Sequence, residues 1–383
     1  MRRIVAAGLV LVLMSTLTGR VALAQGVTAS PAESMGPPPA ATEDGSETAA
    51  ELALSERTWS VIRPPRSPAA REDHTWTVDG EGRFAYLFGG RDGAQTFADL
   101  WRFDLATDTW KKLSPPGQGP GARSGHSAVW LEGHGLIIFA GQRGTDFFGD
   151  LWSYDPAQGS WTKLPAGGSP PKARYGSCMI VGPDGRLWIS HGFTFVGRFD
   201  DTRAYNLRTG RWTSIAPDGR RPGARCLHEC FTTTDGQLVL FGGQDADDPA
   251  LGDLWKMRDD GGWRQVVEPR PQARRLYALA ETSGQAWIFG GSGQDDSRLD
   301  DLWRVDRETL RSERVRLAGL SPPARDAATL IADLVRGRLL LFGGQDGKAR
   351  SDLWQLIGGP TPAVGVEATG EPVGSAPEPS PEG

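Results

Sequence analysis

The sequence predicts an all-β fold: a six-bladed β-propeller with four antiparallel strands per blade, its last blade closed by a strand from the N-terminal side. Three observations predict it. Three short phrases recur six times in one fixed order. The repeat length is close to 50 residues, with second glycines at 90, 141, 192, 243, 291 and 344 giving steps of 51, 51, 51, 48 and 53. The array is also out of phase at its ends. Its last unit lacks a fourth strand, and an orphan strand-like segment precedes the first.

Residues 1–24 have the layout of a secretory signal peptide. Arg2 and Arg3 precede an apolar run, and Ala22-Leu23-Ala24 offers a cleavage site before Gln25. The run is too short for a membrane span, and no other apolar stretch approaches the ~20 residues a span needs. No cysteine stands at the cleavage point, which argues against a lipid anchor, and the arginine pair lacks the fuller context of a twin-arginine signal. The expected location is therefore periplasmic or extracellular. Residues 25–56 and 358–383 are rich in Pro, Ala, Ser, Thr, Gly and Glu, and are expected to be a disordered linker and tail.

The net charge is −5. The leader carries three arginines, the linker six acids and the tail four, which leaves residues 57–357 close to neutral. A near-neutral body excludes a nucleic-acid footprint, which needs concentrated positive charge. A monomer is expected.

Each repeat contains a β-rich run into Gly-Gly: Phe88-Gly89-Gly90, Phe139-Ala140-Gly141, Ser190-His191-Gly192, Phe241-Gly242-Gly243, Phe289-Gly290-Gly291 and Phe342-Gly343-Gly344. About eight residues later comes Asp-Leu-Trp, starting at Asp99, Asp150, Asp253, Asp301 and Asp352. The third unit has Asp201-Thr202-Arg203 instead. A further Trp follows in four units, at Trp110, Trp161, Trp212 and Trp263. The third phrase is Pro-x-Ala-Arg, ending at Arg71, Arg123, Arg174, Arg225, Arg274 and Arg325.

This pattern resembles the Kelch repeat over residues 57–357, as found in the central domain of galactose oxidase-like proteins, and the chain looks like a bacterial exported member. The resemblance implies four-stranded propeller blades. Local signals agree. Asp79-Gly80, Asp184-Gly185 and Asp235-Gly236 suit tight hairpins, and the tryptophans are large enough to fill the wedges between blades. The orphan segment, Arg57-Thr58-Trp59-Ser60-Val61-Ile62, resembles the Trp-bearing fourth strand and is expected to close the ring. Loss of 57–62 should then destabilise the whole domain, whereas loss of 25–50 should not.

The propeller geometry that the resemblance implies puts two loops of every blade on one face. These are the Pro-x-Ala-Arg loop and the loop between strands two and three (91–98, 142–149, 193–200, 244–252, 292–300 and 345–351). Arg71, Arg123, Arg174, Arg225, Arg274 and Arg325 could form an anion site around the channel mouth, since some eukaryotic Kelch domains bind acidic peptides with arginines near it. Alternatively the six aspartates that begin strand three neutralise them, one pair per blade interface. The irregular third unit supplies His191, Phe193, Phe195 and Arg198, and the second adds Phe147 and Phe148. Loop aromatics can stack on sugars or anchor a partner, and departures from a local rule are candidate functional positions.

Chemistry is sparse. Three of the five histidines, His74, His126 and His228, are simply the Arg-x-x-His position of the repeat. Their spacing shows no convergent metal set, and no cofactor is expected. The acidic loops at 245–248 and 295–296 lack the ordered ligand spacing of a calcium loop. Cys226 and Cys230, four residues apart, would sit roughly 13 Å apart on one strand and could not pair. Cys178 could pair with either, or all three could be free. No nucleophile elbow occurs, and the five tyrosines sit at repeat positions rather than in a galactose oxidase-like copper set.

The sequence thus points to a non-catalytic exported module that binds a protein or glycan of the cell envelope or exterior. The alternative is an enzyme resembling periplasmic sialic acid mutarotases, with Glu229 as acid–base group and Arg225 holding the substrate carboxylate. That reading requires Glu229 to face the channel.

Overall fold

The computed structural model describes residues 58–358, apart from 94, 216–218 and 269. The leader, the linker and the tail beyond Gly358 lie outside the described residues. Among the described residues all regular structure is strand, and no helix is long and apolar enough to cross a membrane.

Six antiparallel sheets follow one another along the chain. Blade one comprises Thr75–Val78, Phe84–Phe88, Leu100–Asp104 and Thr109–Leu113, from the channel outwards. Blades two, four and five repeat this order, beginning at Ser127, Glu229 and Ala278. Blade three, beginning at Cys178, gains a fifth short strand, Gly167–Gly168, parallel to its outer strand. Blade six is made from both ends of the propeller. Asp326–Asp333, Arg338–Gln345 and Leu353–Ile357 supply three strands, and Trp59–Ile62 pairs antiparallel with the third, Trp59 opposite Leu356. The predicted closure is therefore present.

The cores lie between blades. Trp76, Phe103 and Trp110 of blade one pack with Phe342 and Leu353 of blade six, and Trp76 meets Phe342 edge-on at 6.1 Å between ring centroids. Closely packed aromatics of this size supply most of the apolar area that a thin blade cannot bury alone.

The second glycine of each pair is Gly in all six blades, with φ between 81° and 106°. A Cβ there would meet backbone oxygen, at 2.8 Å from Glu72 O for Gly90 and 2.6 Å from Cys226 O for Gly243. The first position is also at positive φ, but Ala140 and His191 occupy it in blades two and three, at φ 67° and 58°.

Trp59 is 2% exposed and packs against Phe289 of blade five and Trp354 of blade six. Trp59→Ala should cost about 3–5 kcal/mol in chemical denaturation. Ile357→Ala, at an exposed position, should stay within about 0.5 kcal/mol of the parent. Equal stability of Trp59→Ala and the parent protein would contradict closure by this strand.

Candidate functional site

The six repeat arginines are 0–3% exposed in their side chains. Each guanidinium reaches the aspartate that begins strand three of its own blade, at 2.5–2.8 Å for the shorter contact: Arg71–Asp99, Arg123–Asp150, Arg174–Asp201, Arg225–Asp253, Arg274–Asp301 and Arg325–Asp352. The same Nη1 donates to the carbonyl of the first residue of the Gly-Gly pair, such as Gly89 O at 2.8 Å and His191 O at 2.7 Å. Nε donates to the carbonyl two residues back. The expectation of an anion site on these arginines is corrected. They are buried, and their donors are committed to the protein.

The ion pairs are also not interface contacts, as the one-pair-per-interface expectation had it; each lies within a blade. The backbone of the same arginine makes the interface. Arg123 N donates to Phe97 O, and Gly90 N donates to Arg123 O, both on blade one. Every arginine repeats this, and Arg71 joins blade six through Arg350 O and Gly344 N. Burial pushes the six aspartates up, but the arginine hydrogen bonds and charge outweigh it, so each is held below the usual carboxylate range.

In five blades the Asp-Leu-Trp indole donates to the same aspartate, as Trp101 Nε1 does to Asp99 at 2.7 Å. In blade three Arg203 Nε takes that place on Asp201 at 3.0 Å. Thr202 and Ser190, which replace apolar residues, bond each other at 2.9 Å, and Ser190 also meets His191 Nδ1 at 2.7 Å. His191 is 0% exposed. The blade-three departures are thus an internal polar network, and His191 is not a surface contact residue.

The central channel holds a cavity of about 180 Å³. One residue from the same repeat position lines it in each blade: Thr75, Ser127, Cys178, Glu229, Ala278 and Thr329. Glu229 does face the channel. It is exposed to the channel space yet ringed by protein; that burial, with Asp73 nearby, pushes its carboxyl up to about 8. Arg225 is not beside it in the channel, being tied to Asp253 and Gly242 O. No Lys or Arg lines the cavity. The mouth is instead acidic. Asp73 accepts a 2.7 Å hydrogen bond from Tyr175 Oη and pairs with Arg91, which also meets Glu72. Burial and Asp73 push Glu72 up to about 7. Asp326, on the adjoining blade six, pairs with Arg298.

The strand two–three loops of blades one to three form short hairpins: Arg91–Asp92 with Gln95–Thr96, Gln142–Arg143 with Asp146–Phe147, and Phe193–Thr194 with Gly197–Arg198. The last two bring three predicted aromatics together. Phe147 stands 5.8 Å from Phe193 and 4.9 Å from Phe195, ring centre to ring centre. Phe193 leans on Tyr175 at 5.5 Å. A continuous aromatic row therefore runs from the acidic mouth to the hairpin tip, where Phe195 is 66% and Val196 96% exposed. Arg198 is half-buried opposite Phe193. Phe148 lies apart, under the guanidinium of Arg123 at 4.3 Å, as Phe97 and Phe199 lie under Arg71 and Arg174. Val196 and the acidic mouth were missed in the sequence; Glu72 and Asp73, directly after Arg71, were the available signal.

Cys178 is bonded to Cys230, joining the inner strands of blades three and four, and Cys226 is a buried free thiol. That decides among the pairings the sequence left open.

The sequence matches the profile of the KLHDC2/KLHL20/DRC7 Kelch-repeats domain over residues 41–243 and 220–357. Kelch domain-containing protein 3 of Bos taurus is 29% identical over 242 residues, covering 55% of this chain and 60% of that protein. Its Homo sapiens counterpart is 30% identical over 203 residues, 48% of this chain and 51% of that protein. Tip elongation aberrant protein 1 of Schizosaccharomyces pombe is 31% identical over 211 residues, 51% of this chain and 18% of that protein. The chain thus spans less than two thirds of each of these relatives.

Two sets of carboxyls should give stability opposite pH slopes. The lowered aspartates stabilise the fold above their unfolded pKa of about 4, and that contribution is lost as pH falls through their folded values. Glu72 and Glu229, raised to about 7 and 8, favour the fold when protonated; their contribution is complete below about pH 4 and is lost as pH rises through 7 to 8. Thermal melts across pH 3–9 should peak near pH 5, and Glu229→Gln should flatten the alkaline limb. A melting temperature that rises steadily from pH 5 to 9 in the parent protein would contradict these assignments.

Proposed function

We propose that the chain, which belongs to the KLHDC2/KLHL20/DRC7 Kelch-repeats domain family, is a protein-binding module whose contact surface is the loop-rich face over blades two and three. The exposed pair Phe195 and Val196, backed by Phe147 and Phe193, carries the reading. Two large apolar side chains held at a hairpin tip and buttressed by aromatics are costly to leave in water, and such tips act as anchors in interfaces. The channel beside them is acidic and lacks Lys and Arg on its wall. The partner therefore presents an apolar pocket for Phe195 and Val196; Glu72 and Asp73 are already paired with Arg91 and are not offered to it.

Its compartment, in this reading, is the cell envelope or exterior, reached through the leader that ends at Ala22-Leu23-Ala24. A glycan partner is the weaker form of the proposal. Phe195 can stack on a sugar face, but the ~180 Å³ channel is small beside the ~300–1,000 Å³ of pockets that enclose small ligands. Turnover of a sialic acid fits less well still, because Arg225, the residue that would hold the substrate carboxylate, is tied to Asp253 and Gly242 O away from the channel.

A photo-crosslinking residue at position 195, in protein expressed with its leader in the native host, should give a discrete protein adduct in the envelope or medium fraction. The same residue at position 335, another exposed site, should not, and Phe193→Asp should remove the adduct at 195. Mature protein in that fraction should begin at Gln25. Adducts at 335 alone, or at neither position, would contradict the proposed surface.

A further inference from the structure

At three junctions position Arg+3 of one repeat is linked by a side-chain hydrogen bond to position Arg+4 of the preceding blade. His126 Nε2 meets Thr75 Oγ1 at 2.9 Å, and His74 Nε2 meets Thr329 Oγ1 at 2.7 Å. Ser127 Oγ donates to Ser177 O at 2.6 Å, the same link in serine form. These side-chain bolts join inner strands around the channel.

At the junction of blades three and four the bolt is altered. The imidazole is His228, and the seat that threonine holds in blades one and six is Cys178. Cys230 enters from two residues further on, in the strand Glu229–Thr232 that His228 leads into. The two Sγ atoms and one ring nitrogen of His228 all lie within 4.8 Å of one another. His228 is 2% exposed, and neither of its ring nitrogens has a hydrogen-bond partner. The Ser190 carbonyl lies near the ring but outside hydrogen-bonding geometry. A buried imidazole with two unmet nitrogens is costly. With Cys178 bonded to Cys230, the seat opposite His228 offers it no hydroxyl.

We infer that the dithiol form of Cys178 and Cys230, together with His228, binds a single thiophilic cation of the Zn²⁺ or Cu⁺ class, and that the disulfide form closes this site. Two thiolates and an imidazole are a borderline-soft donor set. Zn–S and Zn–N bonds of about 2.3 and 2.1 Å can be met by small rotations of side chains already this close. Cys178 and His228 both line the channel cavity, which gives ions and reductants a path from the mouth.

The interconversion balances with a dithiol reductant. The Cys178–Cys230 bond takes two electrons and two protons and becomes two thiols, while the reductant becomes a disulfide. Cation binding then releases the two thiol protons to solvent, and His228 contributes a lone pair without changing protonation. His191 stands beside the site, 5.5 Å from His228 between ring centroids, with its Nε2 also buried and unpartnered.

The test uses the whole chain with Co²⁺ as a spectroscopic probe. Protein reduced anaerobically with a phosphine, and shown by near-ultraviolet circular dichroism to remain folded, should develop a thiolate-to-cobalt charge-transfer band that saturates at one equivalent and is displaced by Zn²⁺. The oxidised protein should show no band. Cys178→Ser and Cys230→Ser should abolish it, His228→Leu should weaken Co²⁺ binding at least tenfold, and Cys226→Ser should leave it unchanged. Three results would overturn the inference: no thiolate band in reduced, folded protein; loss of fold on reduction alone; or a Co²⁺ affinity unchanged by His228→Leu, or a band that depends on Cys226.

Discussion

Each blade of this protein is tied to itself and to its neighbour by one buried arginine. The guanidinium pins the loop entering strand one to the aspartate opening strand three, while the backbone of the same residue exchanges two hydrogen bonds with the preceding blade. Six such residues make a ring whose last link, Arg71 to Arg350 and Gly344, joins the two ends of the array. A propeller blade is thin and buries little alone, so its stability lies in inter-blade wedges of Trp, Phe and Leu. Those wedges need blades at a fixed angle, and the arginine ring sets it. Buried charges are tolerated because each guanidinium meets a carboxylate and carbonyl oxygens in good geometry.

This constraint explains why the fold was legible and much of the site was not. Pro-x-Ala-Arg, Gly-Gly and Asp-Leu-Trp are the three ends of one repeated contact, so their period, blade count and ring closure could be read together. Arg71 and Asp99 could be matched by charge alone. What the repeat could not reveal is which side chains of different blades meet across a junction. Cys178 and His228 are fifty residues apart in sequence and touch only because blade four follows blade three around a closed ring. The signal was present in the series Thr75, Ser127, Cys178, Glu229, Ala278 and Thr329, one channel-facing position per blade. Reading that column, rather than each repeat along its length, would have placed Glu229 in the channel.

Blade three shows how a repeat can change its letters and keep its physics. Arg203 replaces an indole and still donates to Asp201. His191 replaces glycine and still offers its carbonyl to Arg174. The departures that looked functional are mostly compensations inside the blade. What does set blades two and three apart is outside the tie: hairpins tipped with Phe195 and Val196 and an aromatic row leading back to Tyr175 and Asp73. The scaffold is thereby separated from the surface it presents. Positions inside the ring are fixed by geometry, and positions beyond it are free to suit a partner.

The central claim is that the arginines are structural ties whose strength comes from their own aspartates. A double-mutant cycle on Arg123→Ala and Asp150→Ala, read by equilibrium unfolding, tests it most directly. Each single change should destabilise strongly, because it leaves a buried charged partner without its mate, and the double mutant should lose about 1–3 kcal/mol less than the sum of the two. Additive losses, or an Arg123→Ala protein as stable as the parent, would show that the ring does not hold the propeller together.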